Sequence, residues 1–459
     1  MFVGREKEIS TISNFLTHKG AMLIYGLKRV GKTTLIKKAL EEADKPYIYF
    51  ECQKASEETN VSLFVDLLRE QIGFVDASFD SFLKVFRELD KSEADYAIII
   101  DEYSFMKQYY LESKKPETKE RAERLDSEFQ NIIDSHLNNL NLFISGSSIH
   151  IMERLLEHSS PVYGRFKEKI ALREFNYLDA KKMMPGVSNE DAISFYSVFG
   201  GSPYVLERLD FSKSLKDNIC ESVLNEDGRL RAHLNSNVLN EFESEPDLQD
   251  ILDAIKNGAK KYKEIGDKCH ITTSGLLDKK LKKLLELDII GVRYPIGKEN
   301  DQRKKYYLIK DNFLKFYYAY VFRQDNRIRL LSEQRYFDLY IEPSLREFIS
   351  LRFENVVRDY FSLALRKGEY PEIVDIGSYF TGDSEFDCVL KFQDGTYAVY
   401  EVKHYAKPLK SSEMEREIAQ VKAIKGLDVS KIGFVCSSGF ELKKPGIDYL
   451  DLSTIFFED

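Results

Sequence analysis

The sequence predicts an α/β fold with a mainly parallel sheet that is wound with helices on both faces. Short apolar runs, typical of buried strands, occur at 22–25, 46–50, 96–100 and 142–145. Segments with the periodicity of amphipathic helices alternate with them, for example at 9–16, 61–72 and 81–89. Strands that alternate with helices in this way favour parallel βαβ units.

A glycine-rich loop follows the first of these strands. Gly26 and Gly31 frame the sequence GLKRVGKT, in which Lys32 and Thr33 open a helical run. Glycines let backbone N–H groups turn toward phosphate oxygens, and the helix N-terminus adds a partial positive charge. Lys32 can then reach the β- and γ-phosphates, and Thr33 can hold Mg²⁺. We therefore expect ATP and Mg²⁺ to bind at this loop, with Thr34 beside Thr33.

Two carboxylates end the apolar run at 96–100. Asp101 and Glu102 follow that run directly, about 70 residues after the glycine-rich loop. At the end of a strand beside such a loop, Asp101 is expected to hold the water shell of Mg²⁺. Glu102 is expected to polarise the attacking water as the base of hydrolysis.

Hydroxyl residues follow the run at 142–145, and their role has two interpretations. Ser147 or Ser148 either senses the γ-phosphate or caps the helix predicted at 149–156. Earlier in the chain, the charged segment 107–125 predicts an exposed loop before a helix that reaches about residue 140.

Six motifs resemble, in their order, the archaeal-type ATPases of the STAND branch of the AAA+-like P-loop NTPases. They are FVGRE at 2–6, GLKRVGKTT at 26–34, IIIDEY at 98–103, LFISGSS at 142–148, SPVYGR at 160–165 and GGSPY at 200–204. The resemblance covers about the first half of the chain. It implies that Arg165 is an arginine-finger residue and that Gly201 and Pro203 lie in a helical lid. As a single residue in a loop, Arg165 is otherwise expected at the solvated surface.

Length and composition set further bounds. With 459 residues the chain is expected to form about three domains. Its five cysteines are scattered without a CxxC pair, which favours neither a disulfide framework nor a zinc site. The start MFVGREKEIS lacks an apolar leader, and no run approaches a membrane span. We expect a soluble, cytoplasmic protein without a membrane partner.

A basic region lies in the middle of the acidic chain. Residues 256–310 contain fifteen Lys or Arg and seven Asp or Glu, whereas the whole chain has a net charge of −9. Three helical segments, near 248–255, 262–269 and 274–285, are followed by strand-like pieces at 289–295 and 305–309. This order predicts a winged helix. Two interpretations remain open, a DNA-binding module and a rigid spacer with a solvated face. The residues expected to contact DNA are Lys279, Lys282 and Lys283 in the major groove, and Arg303, Lys304 and Lys305 at phosphates.

The C-terminal region is predicted to contain a long helix at 344–366 and a β-hairpin. The hairpin strands, 385–392 and 397–403, flank the turn signal Gln-Asp-Gly-Thr. A two-residue turn would pair Cys388 with Glu401, whereas a three-residue loop with a left-handed glycine pairs Cys388 with Tyr400. Only the second register keeps charged side chains off the core face, so we expect it.

That register places Asp387, Glu401 and Lys403 on one face, with Glu354 approaching from the long helix. Carboxylate oxygens are suited to Mg²⁺ or Mn²⁺, and a neighbouring lysine can orient or deprotonate a metal-bound water for phosphodiester attack. This spacing, after a helix that carries Glu354, resembles the PD-(D/E)xK nuclease fold. It also resembles the domain of unknown function that often ends archaeal-type ATPases. A surface ion-pair ladder is the alternative.

Four regions follow from these patterns. They are a P-loop ATPase core at 1–175, a helical lid at 176–245, a winged helix at 246–325 and an α/β nuclease-like domain at 326–459. We expect an ATPase that regulates a metal-dependent nuclease acting on DNA. The alternatives are a nucleotide-controlled DNA-binding or signalling switch and an ATPase that acts on proteins. An arginine finger acting in trans would require a homo-oligomer.

Overall fold

The computed structural model describes ten stretches of the chain. They are residues 2–74, 79–92, 95–113, 116–234, 246–258, 260–271, 273–299, 301–381, 384–424 and 426–457. The fold divides after Glu174 into two structural units. Among the helices of these stretches, none combines the length and the apolar character needed to cross a lipid bilayer.

The first unit, residues 2–174, is an α/β structure around a five-stranded sheet. The strand order is β2-β3-β4-β1-β5, and every neighbouring pair is parallel. The strands are β1 (Gly20–Tyr25), β2 (Tyr47–Glu51), β3 (Ala97–Asp101), β4 (Asn141–Gly146) and β5 (Phe166–Ala171). The helices are α1 (Glu6–Leu16), α2 (Lys32–Glu42), α3 (Glu57–Ile72), α4 (Phe82–Lys91), α5 (Tyr103–Leu111), α6 (Pro116–Ser135) and α7 (Ile149–Arg154). The predicted parallel α/β fold is confirmed for this unit.

Helices cover both faces of this sheet, as the central strand shows. Alternate residues of β1 belong to different apolar clusters, with Leu23 and Tyr25 in one and Met22 and Ile24 in the other. Successive side chains of a strand point to opposite faces, so both faces of β1 are buried. A strand covered on both faces has a continuous apolar sequence, which is why these runs could be recognised.

The exposed loop predicted at 107–125 is wrong. Helix α5 extends to Leu111 and α6 begins at Pro116, and α6 ends at Ser135 rather than near residue 140. Ala122, Leu125 and Phe129 of α6 are buried at helical spacing. The many charges lie between these apolar positions, and their number concealed the periodicity.

Lys107 is buried between these helices and forms an ion pair with Asp126, which also accepts a hydrogen bond of 2.8 Å from the Tyr103 hydroxyl. Replacing Lys107 by methionine is expected to destabilise the first unit by about 3–5 kcal/mol, because it leaves the Asp126 carboxylate buried without its cation. Thermal and urea unfolding of the full chain measure this loss. Lys91→Met, which breaks an exposed pair with Glu88, is the control and should have little effect. Equal stability of the two variants would contradict the prediction.

The second unit, residues 175–459, contains two further sheets. Its strands are β6 (Ile290–Arg293), β7 (Tyr306–Ile309), β8 (Ile373–Thr381), β9 (Ser384–Phe392), β10 (Tyr397–Lys403), β11 (Val429–Cys436) and β12 (Asp448–Leu450). Strands β8 to β10 are antiparallel, whereas β10, β11 and β12 pair in parallel in the order β12-β11-β10-β9-β8. This is the separate α/β sheet predicted for the C-terminal region.

The helices of the second unit come in three groups along the chain. The first comprises α8 (Tyr177–Lys182), α9 (Asn189–Phe199), α10 (Pro203–Leu206), α11 (Leu215–Ile219) and α12 (Arg229–Leu234). The second comprises α13 (Pro246–Lys256), α14 (Tyr262–Lys268), α15 (Ser274–Glu286), α16 (Asn312–Tyr320), α17 (Asp325–Leu331) and α18 (Glu333–Tyr336). The third comprises α19 (Glu342–Arg366), α20 (Ser411–Lys422) and α21 (Leu452–Ile455).

The middle of this unit has the predicted order of three helices followed by two strands. Strands β6 and β7 are antiparallel, with Ile290 opposite Ile309. Leu277, Leu281 and Leu284 of α15 are buried, as the apolar spacing predicted. Lys280 on the same helix is also buried and forms an ion pair of 2.8 Å with Asp247.

The predicted register of the C-terminal hairpin is confirmed where the strands pair. Cys388 lies opposite Tyr400 and Leu390 opposite Ala398. Gly395 has φ +86°, the left-handed conformation that a three-residue loop with a glycine requires. Cys388 and Tyr400 pack with Phe361 of α19 in one apolar cluster, so the register places the apolar face against the long helix.

Candidate nucleotide site and C-terminal carboxylate site

The glycine-rich loop connects the end of β1 to the start of α2. At Gly26 a side chain is excluded, because a Cβ atom would lie 2.0 Å from the carbonyl oxygen of Leu172. Gly31 has φ +94° and immediately precedes α2, so its left-handed conformation turns the chain into the helix. Thr33 and Thr34 lie in the first turn of α2, with Thr34 exposed.

Lys32 is held inside this loop. Its side chain is only 5% exposed, and Nζ donates hydrogen bonds of 3.0 Å to the carbonyl oxygens of Gly26 and Leu27. Burial lowers the pKa of Lys32, and the charges of Glu102 and Asp101 oppose this shift. A buried ammonium with two neutral acceptors is suited to meet the negative charge of a phosphate.

Asp101 ends β3 and accepts hydrogen bonds at both carboxylate oxygens. Oδ2 accepts from the Thr33 hydroxyl at 2.5 Å and from the Tyr49 hydroxyl at 3.1 Å. Oδ1 accepts from the Ser145 hydroxyl and from the backbone N–H of Glu102. Thr33 and Asp101 therefore present two adjacent oxygen ligands, the donor type that Mg²⁺ prefers, and the residues fit a magnesium site.

Glu102 has a left-handed backbone, with φ +50°, and its carboxylate is held by serines. Oε2 accepts hydrogen bonds from the backbone N–H of Ser147 at 3.0 Å, from the Ser147 hydroxyl at 2.7 Å and from the Ser104 hydroxyl at 3.3 Å. Ser148 is the residue before α7, but its side chain makes no capping hydrogen bond. Ser147 thus contacts the predicted base.

Arg165 lies near the N-terminal end of the parallel strands, whereas the glycine-rich loop lies at their C-terminal end. It precedes β5, whose first residue pairs with Ala21 near the start of β1, and it forms an ion pair of 3.0 Å with Asp134 at the end of α6. The glycine-rich loop follows the end of β1, a strand of six residues and therefore roughly 20 Å in length. The structure does not bring Arg165 together with Lys32 and Asp101. Gly201 and Pro203 belong to the second unit, where Pro203 begins α10.

The C-terminal carboxylates Asp387 and Glu401 lie on β9 and β10, just beyond the last pair of those two strands, Cys388 and Tyr400. This place is called the carboxylate edge. Asp387 Oδ2 accepts a hydrogen bond of 2.9 Å from the backbone N–H of Val402. Lys403 Nζ lies 2.6 Å from Glu401 Oε1, and the Glu401 side chain is 10% exposed. On α19, Glu354 lies 3.9 Å from Arg358, whose guanidinium also donates to the carbonyl oxygen of Asp387.

Burial and mutual repulsion shift the protonation of these groups. Burial and the charge of Asp387 raise the pKa of Glu401 to about 8, and the same two causes raise that of Glu354 to about 7. Burial would lower the pKa of Lys403, but Glu401 and Asp387 raise it above its ordinary value. Lys403 therefore stays protonated near neutral pH, and its charge can orient a water but not accept a proton.

A metal ion fits this edge only in part. Glu401 Oε2 is buried without a hydrogen-bond partner within the described stretches, which leaves an acceptor free for a cation. However, no group of three His, Cys, Asp or Glu residues in those stretches is arranged to hold a metal ion. The three predicted ligands Glu354, Asp387 and Glu401 are near one another but do not form a coordination site in this conformation.

Several contact residues were missed by sequence reasoning. Tyr49 and Ser145 hold Asp101 from neighbouring strands, and Arg358 lies one helical turn after Glu354. Helix α20 contributes Glu417, 3.8 Å from Lys403. Position i+4 on α19 was a usable signal for Arg358, whereas no sequence spacing indicates the contacts between strands.

Comparisons with known proteins agree with the first of these sites. Residues 2–209 match the model of a family described as an ATPase domain predominantly from Archaea. Residues 317–418 match a family described as archaeal and bacterial proteins of unknown function. An uncharacterised protein of Methanocaldococcus jannaschii is 26% identical over 439 residues, which cover 93% of each chain.

Among solved structures, the Walker-type ATPase PABY2304 of Pyrococcus abyssi is similar in fold. It has 20% identity and a TM-score of 0.52, over 69% of this chain and 96% of its own. The ORC2 protein of Aeropyrum pernix, in ADPNP–ADP complexes, has 12% identity and a TM-score of 0.45, over 72% of this chain and 95% of its own. The family match supports an ATPase function, and it spans the whole candidate nucleotide site, from Gly26 to Ser147.

Proposed function

We propose that this chain is an ATPase whose nucleotide state controls a metal-dependent, nuclease-like C-terminal domain that acts on DNA. The observation that carries the ATPase part is the contact between Thr33 and Asp101, with Glu102 beside them, within the stretch that matches an ATPase domain. This contact joins the phosphate loop to the strand-end carboxylates, as ATP hydrolysis with Mg²⁺ requires.

Each residue of the nucleotide site has a proposed role. The loop from Gly26 to Gly31 surrounds the phosphates, Lys32 pairs with the β- and γ-phosphates, and Thr33 and Asp101 hold Mg²⁺. Bound Mg²⁺ neutralises the phosphate charge that develops during transfer. Glu102 orients the attacking water, and the two hydrogen bonds from Ser147 set the direction of its carboxylate.

Arg165 is proposed to act in trans. It lies at the end of the strands opposite the glycine-rich loop. A nucleotide within its reach would therefore be bound to another copy of the chain. An arginine supplied by a neighbouring molecule stabilises transition-state charge in other phosphoryl-transfer enzymes. We therefore include a homo-oligomer in the proposal.

The nuclease part rests on the edge formed by Asp387, Glu401 and Lys403. The confirmed hairpin register supports it, as does the Oε2 atom of Glu401, which has no hydrogen-bond partner among the described residues. With Glu354 these carboxylates would hold Mg²⁺ or Mn²⁺, which would activate a water for phosphodiester attack. Lys403, held in its protonated form by the carboxylates, would orient that water or the phosphate.

Plasmid cleavage in ATP and Mn²⁺ tests the nuclease part. Lys403→Ala is expected to reduce cleavage about 100-fold or more, since it removes a charge beside the reacting groups. Lys407→Ala, which changes an exposed lysine four residues after the end of the same strand, is the matched control and should cleave as the wild type does. Absence of cleavage by the wild type, or equal cleavage by Lys403→Ala, would contradict the proposal.

A second candidate is a nucleotide-controlled DNA-binding or signalling switch without nuclease activity. It is favoured by the arrangement of the C-terminal edge, where the described residues do not form a three-ligand metal site and Arg358 lies beside Glu354. In the cleavage experiment this candidate predicts DNA binding with intact plasmid.

The basic middle region is proposed to be a winged helix that contacts DNA. Lys279 and Lys282 of α15 are exposed, and Lys283 is partly exposed beside them. Affinity for DNA falls as salt rises, because each phosphate contact releases a counterion. Replacing all three lysines by alanine is expected to make the slope of log affinity against log salt less steep, by up to about 3. Binding to a DNA duplex at several salt concentrations measures this slope. Lys54, Lys84 and Lys91, replaced together, remove the same charge elsewhere, and an equal effect of both triple variants would contradict a specific role for α15.

A further inference from the structure

Four basic side chains of the second unit are close enough to interact electrostatically, since the charges of Arg293, Arg352 and Arg358 all act on Lys315. Glu354 of the carboxylate edge also acts on Arg293 and Arg352. Arg293 belongs to β6, Lys315 to α16, and Arg352 and Arg358 to α19. Arg358 is accounted for by its contacts with Glu354 and with the Asp387 carbonyl. The other three make no ion pair with any residue that the structure describes, so their charges are available to a ligand.

Arg293 is held in place by neutral groups. Its Nε atom donates a hydrogen bond of 2.7 Å to the Ser378 hydroxyl of β8, and the guanidinium lies 5.3 Å from the centre of the Phe380 ring. Ile296, three residues later, is buried and donates from its backbone N–H to the carbonyl oxygen of Ser378. The segment that follows β6 is therefore anchored on the C-terminal sheet, and Arg293, the last residue of β6, lies beside that sheet.

Arg352 and Lys315 are positioned by the packing of α16 against α19. Arg352 lies over the Phe348 ring at 3.7 Å and donates a hydrogen bond of 2.9 Å to the Phe348 carbonyl oxygen. Lys315 Nζ donates to the Asn312 amide oxygen at 3.2 Å. Phe348 packs edge-on against Phe316, the residue after Lys315, so one aromatic contact links the two basic residues.

Two donors of this cluster have no acceptor in the part of the chain that the structure describes. Arg293 Nη2 and Arg352 Nε are buried and make no hydrogen bond with the residues that the structure describes. A buried donor without a partner costs on the order of 1–3 kcal/mol, and more when it is charged. Such groups are retained where a ligand supplies the missing acceptor, and a planar guanidinium fits the oxygens of a phosphate.

The pKa values of the basic side chains are lowered, as expected for positive charges without a compensating anion. Burial, chiefly, and the charges of Arg352, Arg358 and Arg293 lower the pKa of Lys315 to about 7, against the opposing effect of Asp311. Burial, together with the charge of Arg358, also lowers the pKa of Arg293 to about 10, although Glu354 acts in the opposite direction. Each cation is therefore disfavoured in the absence of a ligand, and an anion would relieve this.

We propose that Arg293, Lys315 and Arg352 form a binding site for a phosphate group beside the carboxylate edge. The three residues come from different parts of the chain. Arg293 and Lys315, on β6 and α16, precede α19 and do not belong to the predicted carboxylate motif. The phosphate can belong to a nucleic-acid backbone or to a free phosphorylated small molecule. The first source rests on the proposed action on DNA, whereas the recognition of phosphate does not.

Binding is tested in the full chain with Lys32→Ala, which disables the nucleotide loop, and with EDTA, which removes metal ions. Inorganic phosphate, a single-stranded oligonucleotide and AMP are titrated separately by calorimetry. Arg293→Gln and Arg352→Gln are each expected to weaken phosphate binding about 10- to 100-fold, since each removes a charge-assisted hydrogen bond. Arg293→Lys, which keeps the charge, is expected to retain most of the affinity.

Arg335→Gln is the matched control, because it changes an exposed arginine on α18 of the same unit. Melting temperatures with and without phosphate show whether each variant is folded, and the loss of the phosphate-induced rise is the expected signature. Weaker binding of the oligonucleotide alone would assign the site to nucleic acid, and weaker binding of AMP alone to a free nucleotide.

The proposal is overturned if the parent binds no phosphate, or if Arg293→Gln and Arg352→Gln bind it as the parent does. Since neither cleavage nor ATP hydrolysis is measured, a failed nuclease assay would leave this result unaffected, and the two proposals can fail separately.

Discussion

Lys32→Ala is expected to weaken ATP binding by about 100-fold or more. The Lys32 ammonium is buried in the loop, where it donates to two neutral carbonyl oxygens, so its charge is available to pair with a phosphate. Removing a charge-assisted contact to phosphate in a desolvated site has a large effect on affinity. Equilibrium binding of ATP to the purified full chain measures the loss, and hydrolysis should fall with it.

Lys38→Ala is the matched control for this experiment. Lys38 lies on the same helix, is exposed and pairs with Glu42 at 3.3 Å, so its removal should leave ATP binding unchanged. Tight ATP binding by Lys32→Ala would show that the phosphates bind elsewhere.

Glu102→Gln is expected to separate hydrolysis from binding. Glutamine keeps the shape of the side chain and an oxygen that can accept from Ser147, but it is not a base. A general base contributes about 10²- to 10⁴-fold to a rate, so the rate of hydrolysis should fall within that range while ATP affinity changes little. Steady-state phosphate release and equilibrium binding, measured on the same preparation, give the two quantities.

Glu112→Gln changes an exposed carboxylate after α5 and should hydrolyse ATP at the wild-type rate. If Glu102→Gln hydrolyses ATP as fast as this control, the base must be another group. If it loses ATP binding instead, Glu102 holds the nucleotide or the loop rather than the water.

The parts of the fold that could be predicted are those whose causes are local in sequence. The strands of the first sheet are buried on both faces and so are continuously apolar, and the loop from Gly26 to Lys32 has a spacing set by phosphate geometry. The hairpin register followed from one burial argument, since the alternative register pairs Cys388 with Glu401 and so places charge on the core face.

The parts that could not be predicted depend on tertiary contacts. The segment 107–125 has the charge of a loop, but buried apolar positions and the ion pair of Lys107 with Asp126 make it helical. Tyr49 reaches Asp101 only because β2 and β3 are neighbours in the sheet. Arg293 reaches the C-terminal sheet through the packing of Ile296, which no spacing in the sequence indicates.

The position of Arg165 depends on the direction of the strand that follows it. Its motif implies a role at the nucleotide. However, β5 runs parallel to β1 and the loop follows the end of β1, so a residue that precedes β5 lies at the opposite end of the strands. The direction of β5 places Arg165 away from the glycine-rich loop of the same unit. A role in trans agrees with the same geometry.

The most direct test is cleavage of a plasmid by the full chain in Mn²⁺, measured with and without ATP for the wild type, Lys32→Ala and Lys403→Ala. Control of a C-terminal metal site by the nucleotide predicts that wild-type cleavage depends on ATP. It also predicts that Lys32→Ala loses this dependence and that Lys403→Ala does not cleave under either condition. Cleavage that is absent from the wild type, or that neither ATP nor either substitution changes, would contradict it.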